Sequence, residues 1–304
     1  MSLELLKKLR EEVGVGMSDC KKALDESGGD YQKAVEWLRK KGISTAAKKA
    51  GRVAAEGLVG VTISDTSGAI IEINSETDFV ARNESFQKAC INVLPLALKT
   101  KGDAGVLQNE KIGAESVSEV LIALTASIGE KISFRRCAFL SVNSGIIASY
   151  VHNAVEGNLN LGKIAVILAL ESSGDKEKLK QFGKQLCMHI VASSPKCVTV
   201  ETLSAADIEK EREIFKAKTI ESGKPANIVD KIVDGMMSKY YSEVVLLEQG
   251  FVMDPKLKVK EVLASVSKEI GQEITIKDFV LYKLGEGIEK QETDFAAEVA
   301  SMVS

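Results

Sequence analysis

Apolar residues in the first fifty positions recur at helical spacing, with breaks near 14–16 and 27–30. This spacing predicts a helix over 3–13, a second helix capped by Ser18 and a third that begins after Asp30 and runs through Trp37. Their apolar faces can fill one small core with Leu5, Leu6, Leu9, Val13, Ala23, Leu24, Ala34, Val35 and Leu38. The small, basic stretch 44–56 is expected to be a helical or flexible linker. Residues 1–56 are therefore predicted to form a helical domain and its linker.

From residue 57 the helical spacing gives way to alternation. Apolar residues alternate with other types over 59–63 and again over 69–74, on either side of a polar turn at 65–68. This pattern predicts a β-hairpin with one face in a core and with Glu72 and Asn74 on the opposite face. Ser75 and Thr77 are favourable helix caps, so a helix is expected to begin near Asp78. Pro95 should kink or end that helix.

The rest of the core repeats this order of elements. A loop is expected over 99–114, a helix over 116–127 and a strand over 132–141. Two further strands are predicted over 145–152 and 163–171, and a helix over 175–192 carries Leu179, Phe182, Leu186 and Ile190 on one face. The fold class is therefore α+β, with a core of two related subdomains over 57–142 and 143–284. Each subdomain is expected to be a sheet covered by helices.

A helical hairpin at about 204–247 interrupts the second subdomain. Ile208 and Phe215 lie a heptad apart, and Ile228, Ile232 and Met236 form a stripe on the returning helix. A narrow apolar stripe among charges is typical of a two-helix arm with little core of its own, so a projecting antiparallel coiled coil is predicted. Residues 285–304 are expected to form a short helical module, in which ETDF at 292–295 repeats ETDF at 76–79.

Phe79 is the apolar residue that this pattern explains least. It follows the predicted strand, and the polar sequence RNES follows it at 82–85. Asp78 in the first turn of a helix would be favoured by the helix dipole, which is a structural reason for its presence. A large ring beside such a polar segment is expected to face solvent, where a partner could bury it.

Composition narrows the function classes. The chain has 304 residues, long enough for two or three domains, and its 40 Lys and Arg nearly balance 43 Asp and Glu. This balance gives no sign of a nucleic-acid or membrane binder. The five cysteines are scattered without CxxC spacing, as in reduced intracellular proteins. We find neither an apolar run of transmembrane length nor a signal peptide, and we expect a cytoplasmic, bacterial protein.

The sequence contains no recognisable catalytic or metal-binding motif. Of the two histidines, His189 shares the apolar face of its helix and is expected in the core, whereas His152 ends a strand and could face solvent. Met17 and Lys21 need no functional role, because Met17 could simply pack in a loop and Lys21 could be a solvated surface charge. No catalytic, cofactor-binding or metal-binding residue is therefore predicted, and the chain is interpreted as a binding protein.

Several motifs, in order along the chain, resemble the elongation factor Ts family, the nucleotide exchange factors of elongation factor Tu. They are LREEVGVGMSDCKKAL at 9–24, AAKKAGRVAAEG at 46–57, ETDFVARN at 76–83, IGEKISFRR at 128–136, SYVH at 149–152, SGKP at 222–225, FVMDP at 251–255 and GEGIEKQETDFAAEV at 285–299. The amino-terminal domain also resembles the ubiquitin-associated domain, a three-helix module that binds partners.

The resemblance implies that the chain binds elongation factor Tu, in its GDP-bound and nucleotide-free forms, and promotes GDP release. Phe79, accompanied by Asp78, would wedge between helices of the partner's GTPase domain near the magnesium site. The expected partner-binding residues are Thr77, Asp78, Phe79, Val80, Met17, Lys21, Ile128, Gly129, His152, Val252 and Met253. Of these, Met17 and Lys21 would meet another helix of the GTPase domain, and His152, Val252 and Met253 the partner's other domains.

Two alternatives stay open. The chain could be an interaction module whose ubiquitin-associated-like domain binds another protein while the rest is a scaffold. An enzyme is the third possibility, disfavoured by the missing motifs. Neither direct nucleic-acid binding nor membrane binding is expected. The arm could dimerise with a second copy or contact elongation factor Tu.

Overall fold

The computed structural model describes residues 3–13 and 15–289, which form a mixed α+β architecture. The helices are α1 (Leu3–Val13), α2 (Met17–Glu26), α3 (Tyr31–Lys49), α4 (Glu84–Lys99), α5 (Ala104–Asn109), α6 (Val117–Ile128), α7 (Lys176–Ser193), α8 (Ala205–Glu221), α9 (Ala226–Val244) and α10 (Val259–Ile270). The strands are β1 (Glu56–Ile63), β2 (Ser67–Ser75), β3 (Lys111–Ile112), β4 (Glu115–Ser116), β5 (Ser133–Ser141), β6 (Gly145–His152), β7 (Leu161–Gly162), β8 (Ile164–Glu171), β9 (Gly250–Phe251), β10 (Asp254–Lys258) and β11 (Thr275–Lys283). In this part of the chain, no helix is both long and apolar enough to cross a membrane.

Helices α1, α2 and α3 pack as a bundle around one core. That core consists of Leu6, Leu9, Val15, Cys20, Ala23, Leu24, Ala34 and Leu38. Asp30 caps α3 as predicted, accepting a hydrogen bond from the Lys33 backbone N–H at 3.1 Å. The predicted cap Ser18 is wrong, because Gly16 has the extended backbone of an N-cap and its carbonyl accepts the first helical bonds of α2. Helix α3 also continues beyond Trp37 to Lys49 and takes up half of the predicted linker.

Two antiparallel sheets pack face to face. The first has the order β5-β2-β1-β7, and the second has the order β11-β8-β6. Between them lies a core layer of Val59, Val61, Ile70, Val142, Ile147, Ala165, Ile167, Ala169 and Tyr282. Helices α4 and α6 cover the outer face of the first sheet, and α7 and α10 cover that of the second. The result is a four-layer sandwich of helix, sheet, sheet and helix.

This sandwich buries both faces of β2, so the prediction of a polar outer face is wrong. Ile71 and Ile73 pack under α4 and α6, while Ile70 faces the second sheet. Glu72 and Asn74 lie on the same side as Ile70 and are fully buried. Alternation cannot reveal this arrangement, because the buried charge of Glu72 is tolerated only through partners that come from other strands.

The segment after β2 departs from the predicted helix start. The chain leaves β2 at Ser75, makes a short 3-10 turn at Val80–Arg82 and enters α4 only at Glu84. Asn83 is the actual cap, and its side chain accepts hydrogen bonds from the backbone N–H groups of Ser85 and Phe86. Pro95 lies on the exposed face of α4 and does not end the helix, which continues to Lys99. The predicted loop over 99–114 contains α5 and β3.

Helices α8 and α9 form the predicted antiparallel hairpin, here called the arm. Their buried face on α9 consists of Val229, Val233, Met237 and Tyr240. The predicted stripe of Ile228, Ile232 and Met236 is therefore wrong by one position and lies on the flank of the contact. Aromatic packing explains the shift, because the Phe215 and Tyr240 rings meet edge to face with centroids 6.5 Å apart. The second ETDF motif, at 292–295, and most of the predicted carboxy-terminal module lie outside the described residues.

Candidate functional site

Residues 77–80, here called the tip, follow β2 and lead into the 3-10 turn, which begins at Val80. The side chain of Phe79 is 74 % exposed, and Asp78 is also exposed. Val80, the next residue, is buried in the core between the first sheet and its helices. The backbone therefore anchors one apolar side chain inside and presents the neighbouring one to solvent. The exposed ring is therefore available for burial by a partner.

The tip is held by the turn that follows α6. The Thr77 backbone N–H donates to Glu130 Oε2 at 2.8 Å, and Thr77 Oγ1 donates to Glu130 Oε1 at 2.7 Å. In return, the Lys131 backbone N–H donates to the carboxylate of Glu76. We call this reciprocal pair of contacts the joint. It brings Thr77 beside Ile128 and Gly129, as expected if these residues share one surface.

Gly129 has a reason to be glycine at this place. It ends α6 with a left-handed backbone, φ +84°, a conformation that residues other than glycine rarely adopt. Its carbonyl accepts a hydrogen bond from Lys49 Nζ at the end of α3. Lys131 Nζ donates to the carbonyls of Ala50 and Arg52, at 2.7 and 2.8 Å. The end of the amino-terminal bundle is therefore attached beside the tip.

His152 lies at the same end of the sandwich as the tip. It is the last residue of β6, and its carbonyl accepts a hydrogen bond from the Lys163 backbone N–H. The Lys163 side chain in turn donates to Glu56 Oε2 at 3.2 Å, and Glu56 pairs with Ser75, the residue from which the chain enters the tip. The His152 ring is exposed, with Nδ1 3.3 Å from the hydroxyl of Tyr150.

Val252 and Met253 occupy an exposed turn between β9 and β10. Helix α7 follows β8 and packs across β8 and β6, so it runs back toward the end of the sheet where His152 lies. His189, near the end of α7, accepts a hydrogen bond from the Val252 backbone N–H at 3.2 Å. The predicted core position of His189 is confirmed, since the residue is fully buried, and this burial lowers its pKa. The Val252 turn therefore faces the same end as the tip.

Met17 and Lys21 have a separate setting. Both lie on α2, where Met17 packs partly against the bundle core and Lys21 is exposed. An ion pair between Lys41 and Asp19 fixes α2 to α3. The candidate residues thus form one group at the end of the sandwich and a second group on the bundle, connected through α3 and the joint.

Comparison with known proteins decides the family. The model of a protein family described as Elongation factor TS matches residues 76–286, which include the tip, the joint and the Val252 turn. The chain belongs to the elongation factor Ts family. It is 50 % identical to an elongation factor Ts of Rhodospirillum centenum, over 99 % of this chain and 98 % of that relative. It is also 47 % identical to one of Parvibaculum lavamentivorans over 99 % and 98 %, and 50 % identical to one of Zymomonas mobilis over 97 % and 96 %.

Membership of the elongation factor Ts family makes the chain a translation elongation factor. Two residues that support the candidate surface are not among the predicted site residues. The sequence predicts Thr77 as a helix cap and not as a partner of Glu130, and the local signal for this pair is a carboxylate directly after the glycine that ends α6. Glu72 is predicted on an exposed face but is buried.

Glu72 organises the interior behind this surface. Its carboxylate accepts hydrogen bonds from Arg135 Nη1 at 2.8 Å, Arg136 Nε at 2.6 Å and the Gly285 backbone N–H at 2.8 Å. Desolvation alone would raise the pKa of Glu72, but these bonds and one from Asn74 outweigh it and hold the pKa below its ordinary value. The Arg136 guanidinium stacks on the Tyr282 ring at 4.0 Å. A buried ion cluster thus joins β2, β5 and the segment that follows β11.

Proposed function

We propose that this protein is a guanine nucleotide exchange factor for elongation factor Tu. In this proposal it binds the GDP-bound partner and promotes GDP release and replacement by GTP. The Asp78–Phe79 part of the tip enters the partner near its magnesium and nucleotide site. The observation that carries the proposal is the exposure of Phe79 on a turn anchored by Thr77 on one side and by buried Val80 on the other.

The geometry suits insertion of a ring into a partner. Transferring a phenylalanine side chain from water to an apolar pocket contributes roughly 1.5–3 kcal/mol. Because the tip is already ordered in the free protein, little conformational entropy is lost on binding. This binding energy can be used to displace the elements of the partner that hold magnesium and phosphate.

Exchange of this kind requires no reacting group in the chain. If the factor binds nucleotide-free elongation factor Tu more tightly than the GDP-bound form, linkage requires that the factor lower the affinity of elongation factor Tu for GDP by the same ratio. A ratio of a thousand corresponds to about 4 kcal/mol of coupling. We therefore propose a binding function and not an enzymatic one. The site of action would be the bacterial cytoplasm, where translation takes place.

Other residues of the proposed contact surface lie at the same end of the sandwich as the tip. Ile128 and Gly129 flank the tip, while His152 and the exposed Val252–Met253 turn would meet other domains of elongation factor Tu. Met17 and Lys21 would contact the GTPase domain separately, through the bundle. The attachment of α3 to the joint supports this division, because it holds the bundle and the tip in a fixed relation.

The decisive experiment measures release of a fluorescent GDP analogue from elongation factor Tu. Wild-type protein should accelerate release, and Phe79→Ala should lower this acceleration by roughly tenfold or more, because the lost burial is worth about 1.5–3 kcal/mol. A matched control is Ile63→Ala, since Ile63 is also an exposed large side chain but lies at the opposite end of β1. Equal acceleration by Phe79→Ala and wild type would disprove the wedge.

The arm carries exposed isoleucines at 214, 220 and 228, which support a contact surface of its own. We propose that this surface pairs either with a second copy or with elongation factor Tu. Sedimentation of Ile220→Glu beside wild type distinguishes the two. A dimer that dissociates in the variant favours self-pairing, while an unchanged monomer with weaker partner binding favours elongation factor Tu.

A further inference from the structure

Two short hydrogen bonds join Thr77 of the tip to Glu130 in the turn that follows α6. The carboxylate of Glu130 accepts both polar hydrogens that Thr77 offers, one from the backbone and one from the hydroxyl. We propose that Glu130 is a positioning residue for Phe79: it fixes the direction in which the tip presents the ring, without touching the partner's nucleotide site itself. This inference rests on the exchange function proposed above.

The contact leaves Asp78 and Phe79 between two anchors. Thr77 is fixed by Glu130 on one side, and Val80 is fixed by core packing on the other. The two residues between these anchors have their backbone directions set, although their own side chains lie in solvent. Without Glu130, the Thr77 N–H, two residues beyond β2, would bond to water, and one anchor would be lost. The ring would then sample several directions, of which few allow insertion.

The joint also links the tip to the amino-terminal bundle. The carboxylate of Glu76 accepts a hydrogen bond from the Lys131 backbone N–H and forms an ion pair with Arg52. Lys131 reaches the carbonyls of Ala50 and Arg52 beyond α3. The residue next to Glu130 is therefore bonded to the chain that leads from the bundle. Glu130 thus lies where the bundle and the tip are brought into register.

Four substitutions separate positioning from general stability. Glu130→Ala removes both acceptors. Glu130→Gln keeps an oxygen that can accept from the Thr77 N–H. Its NH₂ group can donate to the Thr77 hydroxyl, which would then act as the acceptor. Thr77→Val removes only the hydroxyl bond, and Thr77→Ser keeps it. The proposal therefore expects Glu130→Ala and Thr77→Val to be impaired, with Glu130→Gln less impaired than Glu130→Ala and Thr77→Ser less impaired than Thr77→Val. Glu171→Ala is the control, since Glu171 pairs with Lys277 at the opposite end of the sandwich.

The first measurement needs no partner. Amide hydrogen exchange at Thr77 should become about tenfold faster in Glu130→Ala, because hydrogen bonds to a charged acceptor contribute about 1.5–3 kcal/mol and 1.4 kcal/mol is a factor of ten. Exchange in Glu130→Gln should be accelerated less than in Glu130→Ala, because a neutral acceptor remains, and exchange in Glu171→Ala should stay as in wild type. Unchanged protection of Thr77 in Glu130→Ala would overturn the proposal, whatever the partner assay shows.

The second measurement tests whether Glu130 acts through Phe79. Glu130→Ala should reduce acceleration of GDP release by roughly tenfold, while Phe79→Ala/Glu130→Ala should be no slower than Phe79→Ala alone. Full additivity would show that Glu130 contributes elsewhere and would overturn the positioning role. If Glu130→Ala fails to fold, Thr77→Val in the same cycle gives the answer. Failure of the wild type to accelerate release would instead refute the exchange function, and the Thr77 exchange result would remain as the separate test of the contact.

Discussion

His189 Nδ1 accepts a hydrogen bond from the Val252 backbone N–H, while His189 Nε2 lies 2.9 Å from Gln249 Oε1. The two contacts fit a neutral imidazole with its proton on Nε2, donating to Gln249. Gln249 Nε2 donates in turn to the carbonyls of Ser193 and Glu243, at the ends of α7 and α9. One buried histidine thus connects the base of the arm to the exposed Val252 turn.

This arrangement predicts a loss of stability in mild acid. Burial lowers the pKa of His189 below its ordinary value of 6.5, so the unfolded chain binds a proton more readily than the folded one. The stability that the buried, neutral His189 contributes is therefore fully present above pH 6.5 and is lost as the pH falls below that value. Between the ordinary and the folded pKa, the free energy of unfolding should fall by up to about 1.4 kcal/mol per pH unit. Urea unfolding from pH 7.5 to 5.5 measures it.

His189→Gln is the reference for this prediction. It should be less stable than wild type at pH 7.5, because the Val252 contact is disturbed, but the gap should narrow as the pH falls. Other titrating groups affect both proteins, so the difference between the two curves isolates His189. A gap that stays constant across the range would contradict the prediction.

Glu72→Ala should cost the folded protein about 3 kcal/mol, because it leaves two arginines without their buried partner. The loss should appear as a lower free energy of unfolding in urea at pH 7. Glu171→Ala should cost less than about 1 kcal/mol, since its ion pair with Lys277 lies on the surface. Equal costs for the two variants would show that the Glu72 cluster does not stabilise the sandwich.

The register of the arm can be tested with adjacent positions on α9. Val233→Ala removes methyl groups from the buried contact and should cost about 2 kcal/mol. Ile232→Ala removes a larger side chain from the flank and should cost less than about 1 kcal/mol. Thermal unfolding followed by circular dichroism ranks the two. The opposite order would support the stripe expected from the sequence instead of the observed one.

Gly129→Ala should destabilise the protein by roughly 1–2 kcal/mol, because alanine is strained at a left-handed backbone position. No atom lies within 4 Å of the added methyl group, so the cost is conformational and not steric. Gly129→Asn should cost less, since asparagine tolerates this conformation. Comparison of the two in urea unfolding separates strain from lost contacts, which would affect both variants alike.

The sequence predicted elements where a local pattern is sufficient. Strand β6 has the expected bounds, 145–152, and the capping of α3 by Asp30 follows from adjacent residues alone. Prediction failed where distant partners decide. Glu72 is buried because Arg135 and Arg136 arrive on another strand, and Thr77 binds a carboxylate 53 positions away instead of capping a helix.

The candidate surface could be predicted only in part for the same reason. Resemblance to a family suggested Phe79 and its companions, and local composition suggested that its ring would be exposed, which is confirmed. What the sequence could not supply was the spatial grouping. Thr77, Gly129 and His152 lie at the same end of the sandwich because β2, α6 and β6 end there, which depends on the pairing of strands far apart in the chain.

The short strand β7 has a consequence for the protein at high concentration. Gly162 and Leu161 pair with Val59 and Gly60, and the Asn160 carbonyl accepts the Val61 N–H. These contacts occupy backbone groups that an uncovered β1 would offer to another chain, and open strand edges are templates for intermolecular pairing. The segment between β6 and β8 thus covers part of the edge of β1 with which another chain could otherwise pair.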